Sequence, residues 1–234
     1  MTAPIVEHHR GVLVVRDDLH PGGTKARFIG RVFDTCDEAV YATPAEGGAQ
    51  TALAYVARAL GKRATLFVAQ RAKPHARTLE AARLSAKVVP VSPGYLSVVR
   101  SRAKDYCRDT GAALIPFGAD IPGAIEAIAE AALATGVMPD EVWCAAGSGV
   151  LIRGLARAWP IARLNAVQVG RDLATREVAN AQLHVHALKF GERAKTDPPF
   201  PSDPHYDAKA WEVCNWMKGP GKVLFWNVAP PARP

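Results

Sequence analysis

Short runs of β-branched and aliphatic residues alternate along this chain with longer stretches whose apolar positions recur every three or four residues. The run VLVV at 12–15 predicts a first strand. The polar RDDLH segment and the turn Pro21-Gly22-Gly23 end it, and a helical pattern begins at about Thr24, which reads as the N-cap. Residues 39–41 predict a second strand, followed by the glycine-rich turn Glu46-Gly47-Gly48-Ala49 and a helix over 50–60 that stops at Gly61. The same alternation continues: strand 64–69, helix 75–84, strand 86–91, helix 95–110, a short strand within 113–117, and an alanine-rich helix over 122–134. Residues 141–145 (EVWCA) predict a strand that runs into Gly147-Ser148-Gly149 and a helix reaching about Ala158. Residues 164–169 predict another strand, and His184 and His186 alternate on a further one. A proline-rich stretch from 198 to 204 leads to a helix near 209–217 and a last strand at 222–227. It reads as a crossing loop because secondary structure resumes after it. Strands and helices of these lengths in alternation predict an α/β protein with parallel sheets covered on both faces.

Three segments carry candidate chemistry. Gly147-Ser148-Gly149 joins a strand to a helix, a geometry that gathers backbone N–H groups and the positive end of a helix dipole into a phosphate cradle. The same pattern also serves as an ordinary tight turn. Lys25 follows a double glycine at a helix start, where it is either a solvated surface charge or a buried amine of lowered pKa, able to form an imine with a carbonyl cofactor. Tyr206-Asp207 follows a proline turn, so the phenol either packs in the core while Asp207 caps the next helix, or both belong to a site.

Together these segments resemble the 1-aminocyclopropane-1-carboxylate deaminase and D-cysteine desulfhydrase branch of the fold type II (tryptophan-synthase-β-like) pyridoxal-phosphate enzymes. VVRDDLHPGGTKARFI is similar to that branch's strand, acidic pair, glycine pair and cofactor lysine, which falls on Lys25. EGGAQTALAYVARALGKRATLFV resembles the opening of its small domain, and GAALIPFGADIPGAIEAIAEAA the return to the large one. EVWCAAGSGVLIRGLA resembles the phosphate loop, while SDPHYDAKAWEV and GKVLFWNVAP resemble the C-terminal tyrosine motif and last strand.

The resemblance implies two open, mainly parallel twisted sheets in a shortened fold: a discontinuous large domain (1–35 and 119–234) and a small domain (36–118). It implies pyridoxal 5′-phosphate held as a Schiff base on Lys25. Gly147, Ser148, Gly149, Val150 and Leu151 would hold the phosphate, and Asp207 the pyridine nitrogen. Tyr206 would be an acid/base or positioning group, and Gly47, Gly48 and Gln50 would lie in the loop near cofactor and substrate. The implied activity is that of a lyase or deaminase working at an amino-bearing carbon by deamination, elimination or decarboxylation, in a homodimer.

Departures from the branch narrow this expectation. Gly47-Gly48-Ala49 stands where the branch usually has Ser-Asn-His or Gly-Asn-His, Val150-Leu151 stands where glycine and threonine are commoner, and the last strand runs into Asn227-Val228-Ala229-Pro230. A rebuilt carboxylate loop in a chain of net charge +7 and pI near 9.4 suits a larger, anionic substrate, such as an amino-acid adduct on a nucleotide or DNA base of the phage hypermodification type. Nucleic acid is then a partner beside the small-molecule amino substrate. The competing readings are a non-catalytic relative, favoured by the missing asparagine at 48, and a Rossmann-type nucleotide binder, disfavoured by the lack of G-x-G-x-x-G after the first strand.

The four cysteines form no C-x-x-C pair, and His184 and His186 have no third ligand in sight, so no metal is expected. His205 either lines the site or packs. No 18-residue apolar stretch and no apolar signal core occur, which predicts a cytoplasmic protein without a membrane span.

Overall fold

The computed structural model describes residues 2–92 and 94–232. In chain order its strands and helices are β1 (Val6–His9), β2 (Val12–Arg16), α1 (Ala26–Ile29), β3 (Glu38–Thr43), α2 (Ala49–Ala59), β4 (Arg63–Ala69), α3 (Ala76–Arg83), β5 (Lys87–Val91), α4 (Leu96–Thr110), β6 (Ala113–Ile115), α5 (Ala124–Leu133), β7 (Glu141–Ala146), α6 (Val150–Ala158), β8 (Arg163–Gln168), β9 (Gln182–Val185), α7 (Asp207–Met217) and β10 (Val223–Asn227). Short 3-10 turns occupy Asp17–Leu19, Gly30–Asp34, Phe117–Ala119 and Thr175–Glu177.

The chain divides into two compact units, Met1–Arg27 with Pro122–Pro231, and Phe28–Ile121 with Ala232–Pro234. The first is built on a six-stranded sheet in the order β1-β2-β10-β7-β8-β9. Every pairing in it is parallel except the β1–β2 hairpin, whose turn places Arg10 and Gly11 at positive φ. Alternate residues Val12, Val14, Trp143, Val167 and Phe225 point to one face and bury Trp211 of α7. The helices α5 and α6 press together so closely that a Cβ on Gly154 would lie 2.4 Å from Ile128 Cγ2. Gly154 is therefore a packing glycine, and a side chain there would overpack the helix pair.

The second unit holds a parallel four-stranded sheet in the order β5-β4-β3-β6. Val40, Ala42, Phe67 and Val91 meet Val99 and Ala103 of α4. Right-handed crossovers put α2 and α3, which pack on each other, on the opposite face.

Two features differ from the sequence reading. Val6–His9 is a strand that an unpatterned VEHH does not announce; it is recruited as an antiparallel edge by β2. Thr24 does not cap a helix. Its hydroxyl accepts from Trp226 Nε1 at 2.9 Å and lies 3.5 Å from the Val228 carbonyl, a partner 204 residues away, and only the four residues Ala26–Ile29 turn as α-helix.

Candidate active site

In the six-stranded unit, four segments far apart in sequence meet at the carboxyl ends of the neighbouring strands β7 and β10. This is the edge of an open α/β sheet where ligands bind. The first is the turn that carries Lys25. Thr24 N donates to Val228 O at 3.0 Å, just beyond the end of β10. A Cβ on Gly23, whose φ is +70°, would lie 2.5 Å from that same carbonyl, so only glycine lets the turn dock there. Lys25 itself is half-buried. The acidic pair and the nearby arginines brace this turn. Arg27 forks onto Asp17 Oδ1 at 2.7 and 2.5 Å, and Arg16 pairs with both oxygens of Asp18 at 2.9 Å. Removing one member of the buried Arg27–Asp17 pair would strand the other charge, a loss of about 3–5 kcal/mol.

The second segment is the turn after β7. Gly149 has φ +78° and is the N-cap of α6, which follows at Val150. The first amides of a helix have no acceptor within it, so those of Val150 and Leu151 are available to an anion. A Cβ on Gly149 would sit 1.8 Å from the Glu177 carbonyl, and one on Gly147 would lie 3.3 Å from the Tyr206 ring. Gly149 is therefore required by the backbone that presses on the turn, and Gly147 sits in tight contact with the Tyr206 ring.

Tyr206 and Asp207 form the third segment, and residues 228–229 beyond β10 the fourth. Tyr206 lies against the core of this unit and its hydroxyl donates to Ala145 O at 3.3 Å, near the end of β7. Asp207 is fully buried; its Oδ2 accepts from Ala229 N at 3.3 Å, past the end of β10, and its Oδ1 has no partner. Burial raises the Tyr206 phenol far above its ordinary value, and the adjacent Asp207 adds to this. Burial also raises the Asp207 carboxyl well above the usual carboxylate range, reinforced by Asp203 and opposed by the amides of Ala229 and Val228. Tyr206 thus stays a phenol at neutral pH, and Asp207 is a carboxyl group awaiting a cationic partner. In this same unit His205 Nδ1 is also buried without a partner, His184 stacks on Trp143 at 4.8 Å, and His186 faces Glu212.

Gly47, Gly48 and Gln50 belong to the other unit. Gln50 turns its side chain into its own loop, donating to Ala45 O at 2.6 Å and Gly47 O at 3.0 Å and accepting from Thr78 Oγ1 at 3.0 Å. Gly48, with φ −68°, is free to carry a side chain; a Cβ there would find the Arg77 guanidinium, 4.0 Å away, as its nearest neighbour. Arg77 is 2% exposed. Nothing in the sequence pattern singles it out. Thr24 and Trp226 were likewise missed, because nothing local links residues 202 positions apart.

Residues 2–199 match the family described as pyridoxal-phosphate dependent enzyme. The chain belongs to that family. This pyridoxal-phosphate enzyme is 26% identical over 218 residues to a glycyl-dTMP PLP-dependent decarboxylase of Pseudomonas phage M6, with 76% of each chain covered. Its fold is that of fold type II enzymes. An ACC deaminase homologue superposes with a TM-score of 0.80 at 19% identity, covering 98% of this chain and 90% of the other. Maize serine racemase superposes with a TM-score of 0.71 at 14% identity, covering 99% and 88%. Among the described residues no helix is long and apolar enough to cross a membrane, and no group of three or more His, Cys, Asp or Glu could hold a metal.

The unpartnered Asp207 oxygen and the glycine turn before α6 fit the pyridoxal-phosphate group, whose ring nitrogen is cationic and whose tail is a phosphate. A pH dependence follows for the cofactor-free enzyme. The folded chain keeps a proton on Asp207 to higher pH than the unfolded chain, whose carboxyl titrates at about 4. This contribution is complete below that value and is lost as pH rises toward the raised folded value, with a slope of up to about 1.4 kcal/mol per pH unit. Asp207→Asn should flatten the decline in urea-melt stability between pH 4 and 8; an unchanged slope would show that the carboxyl ionises freely.

Proposed function

We propose that this enzyme breaks a bond at the amino-bearing carbon of an amino-acid unit attached to a nucleotide or DNA base, with Lys25 as the amine that holds the cofactor. The reading rests on one observation. The Lys25 turn, the 147–151 turn and the Tyr206-Asp207 pair converge at the carboxyl ends of β7 and β10.

When bound, the cofactor supplies an electron sink for the bond broken at the substrate carbon. The rest falls to the chain. The amides of Ser148, Gly149, Val150 and Leu151 would hold the phosphate, with Gly147 letting Tyr206 pack against the turn. Asp207 would face the ring nitrogen and favour its protonated form. Lys25 would hold the group through its amine and would carry the proton to or from the substrate carbon. Tyr206, a buried phenol bonded to Ala145 O, keeps its proton and positions the turn.

The attached nucleotide is supported by the phage relative, which is named for a glycyl-dTMP substrate, and by the chain's net charge of +7, which suits an anionic substrate. The test offers the holoenzyme a glycyl-adducted thymidine nucleotide and, in parallel, D-cysteine and a cyclopropane amino acid. Carbon dioxide release from the nucleotide adduct, without ammonia, is expected. Turnover of the free amino acids alone would overturn the assignment.

A further inference from the structure

We propose that the carboxyl edge of the four-stranded sheet is a surface for single-stranded nucleic acid, on which Tyr95 stacks a base and Lys73, with Arg71, meets backbone phosphates. The proposal rests on the nucleotide reading above and extends it: the substrate is a unit within a polymer, gripped outside the reacting position.

The two units differ in charge. Residues 28–121 carry 13 Lys and Arg against 8 Asp and Glu, whereas 1–27 with 122–231 carry 15 against 14. Most of the chain's net positive charge therefore lies on the four-stranded unit, and an excess of this kind draws in a polyanion.

Within that unit the loops after β3, β4 and β5 leave the same edge of a parallel sheet, and they are tied together. Gln70 N donates to Val91 O at 2.9 Å, joining the ends of β4 and β5. A Cβ on Gly94 would lie 3.0 Å from Ala69 Cβ, so the loop before α4 presses on the end of β4. Arg71 bonds Glu46 at 2.7 Å, linking the β4 loop to the Gly47-Gly48 turn.

On this joined edge the Tyr95 ring is 72% exposed. Lys73 is exposed and forms no ion pair among the described residues. Two more exposed cations, Arg102 and Lys104, follow on α4, which begins at the residue after Tyr95. An exposed aromatic flanked by cations is the pairing that binds unpaired nucleotides: the ring offers a face to any base and the cations track the phosphates. A lone mononucleotide would need only one of the two.

The test uses the holoenzyme and a fluorescent oligothymidylate, read by anisotropy over a series of KCl concentrations. Tyr95→Ala should weaken binding about tenfold with the salt slope unchanged. Lys73→Ala should reduce the magnitude of the log K against log salt slope by about 0.7, the value for one phosphate contact on a single strand. Lys222→Ala, an exposed cation of the other unit, should do neither. Native-like binding by both Tyr95→Ala and Lys73→Ala overturns the proposal, as does equal loss in Lys222→Ala or an oligonucleotide that binds no better than dTMP. The cofactor's absorbance band, read on the same samples, tests the underlying reading separately. A band that persists while the oligonucleotide fails to bind removes this surface alone.

Discussion

Replacing Lys25 with alanine should lower turnover by more than about a thousandfold, the range of a residue that both holds the cofactor and moves the proton at the reacting carbon. The absorbance band near the visible edge should disappear, and borohydride reduction, which should fix the cofactor to the peptide containing residue 25 in the native protein, should leave no adduct. The loss should not be one of folding. The turn is held through its backbone, by Thr24 N on Val228 O and Gly23 N on His20 O, and by the Thr24 hydroxyl under Trp226, none of which involves the lysine side chain. A half-buried side chain with these supports intact should cost about 1 kcal/mol or less of melting stability. Lys25→Arg sharpens the reading. It keeps the positive charge but presents no amine that can deprotonate, so it should fail as completely as alanine. An arginine variant with substantial activity would mean that Lys25 acts only as a charge.

Gly149→Ala should be severely damaging, because its added carbon would make a shorter contact than one on Gly23 or Gly154 would. The position has φ +78°, which costs an ordinary L-residue about 1–2 kcal/mol. The added carbon would lie 1.8 Å from the Glu177 carbonyl, a backbone atom with no rotamer to yield. The loop that carries this carbonyl is tied locally, with Glu177 N donating to Ala174 O at 2.8 Å. The Glu177 carboxylate bonds Arg171 and accepts from Ala174 N at 2.9 Å, and the Arg171 guanidinium pushes its pKa down to about 2. One of the two backbones must therefore move. A total loss of about 4 kcal/mol or more is expected, together with a marked fall in cofactor affinity, since the displaced turn is the one offering its amides to the phosphate. Thermal melts and cofactor titration measure both. Gly61→Ala is the matched control. Its φ is +65° but nothing lies within 4 Å of the new carbon, so it should lose only the left-handed cost of about 1 kcal/mol. Equal effects at the two positions would mean that the Glu177 contact gives way easily.

Where a feature was local, it was legible. The alternation of strand and helix runs, the glycine-bounded helix ends and the turn from β7 into α6 are set within a few residues, and the elements fall within a residue or two of where the pattern puts them. Lys25 was legible as a candidate only when its glycine pair and helix start were taken together with the resemblance carried by the other segments; the turn that carries it is held by Val228 and Trp226, which no window of the chain contains together with it. Thr24 illustrates the cost. A hydroxyl before a helical pattern reads as a cap, but a buried indole N–H needs an acceptor, and that long-range demand took the hydroxyl. The edge strand β1 was hidden for a similar reason, since VEHH becomes a strand only when β2 offers it a ladder. The concentration of charge on one unit was present in the sequence throughout. It becomes visible only when residues 28–121 are separated from the rest.

The place of β10 has a consequence for biogenesis. It lies between β2 and β7, yet it is synthesised after both. While the ribosome is still making the chain, the hairpin of β1 and β2 has no neighbour to join, and the residue that anchors Thr24 does not yet exist. On the proposed assignment, coenzyme uptake waits until β10 has been made. A nascent polypeptide stalled before its final strand would carry every residue of the proposed catalytic set and still be unable to take up the coenzyme.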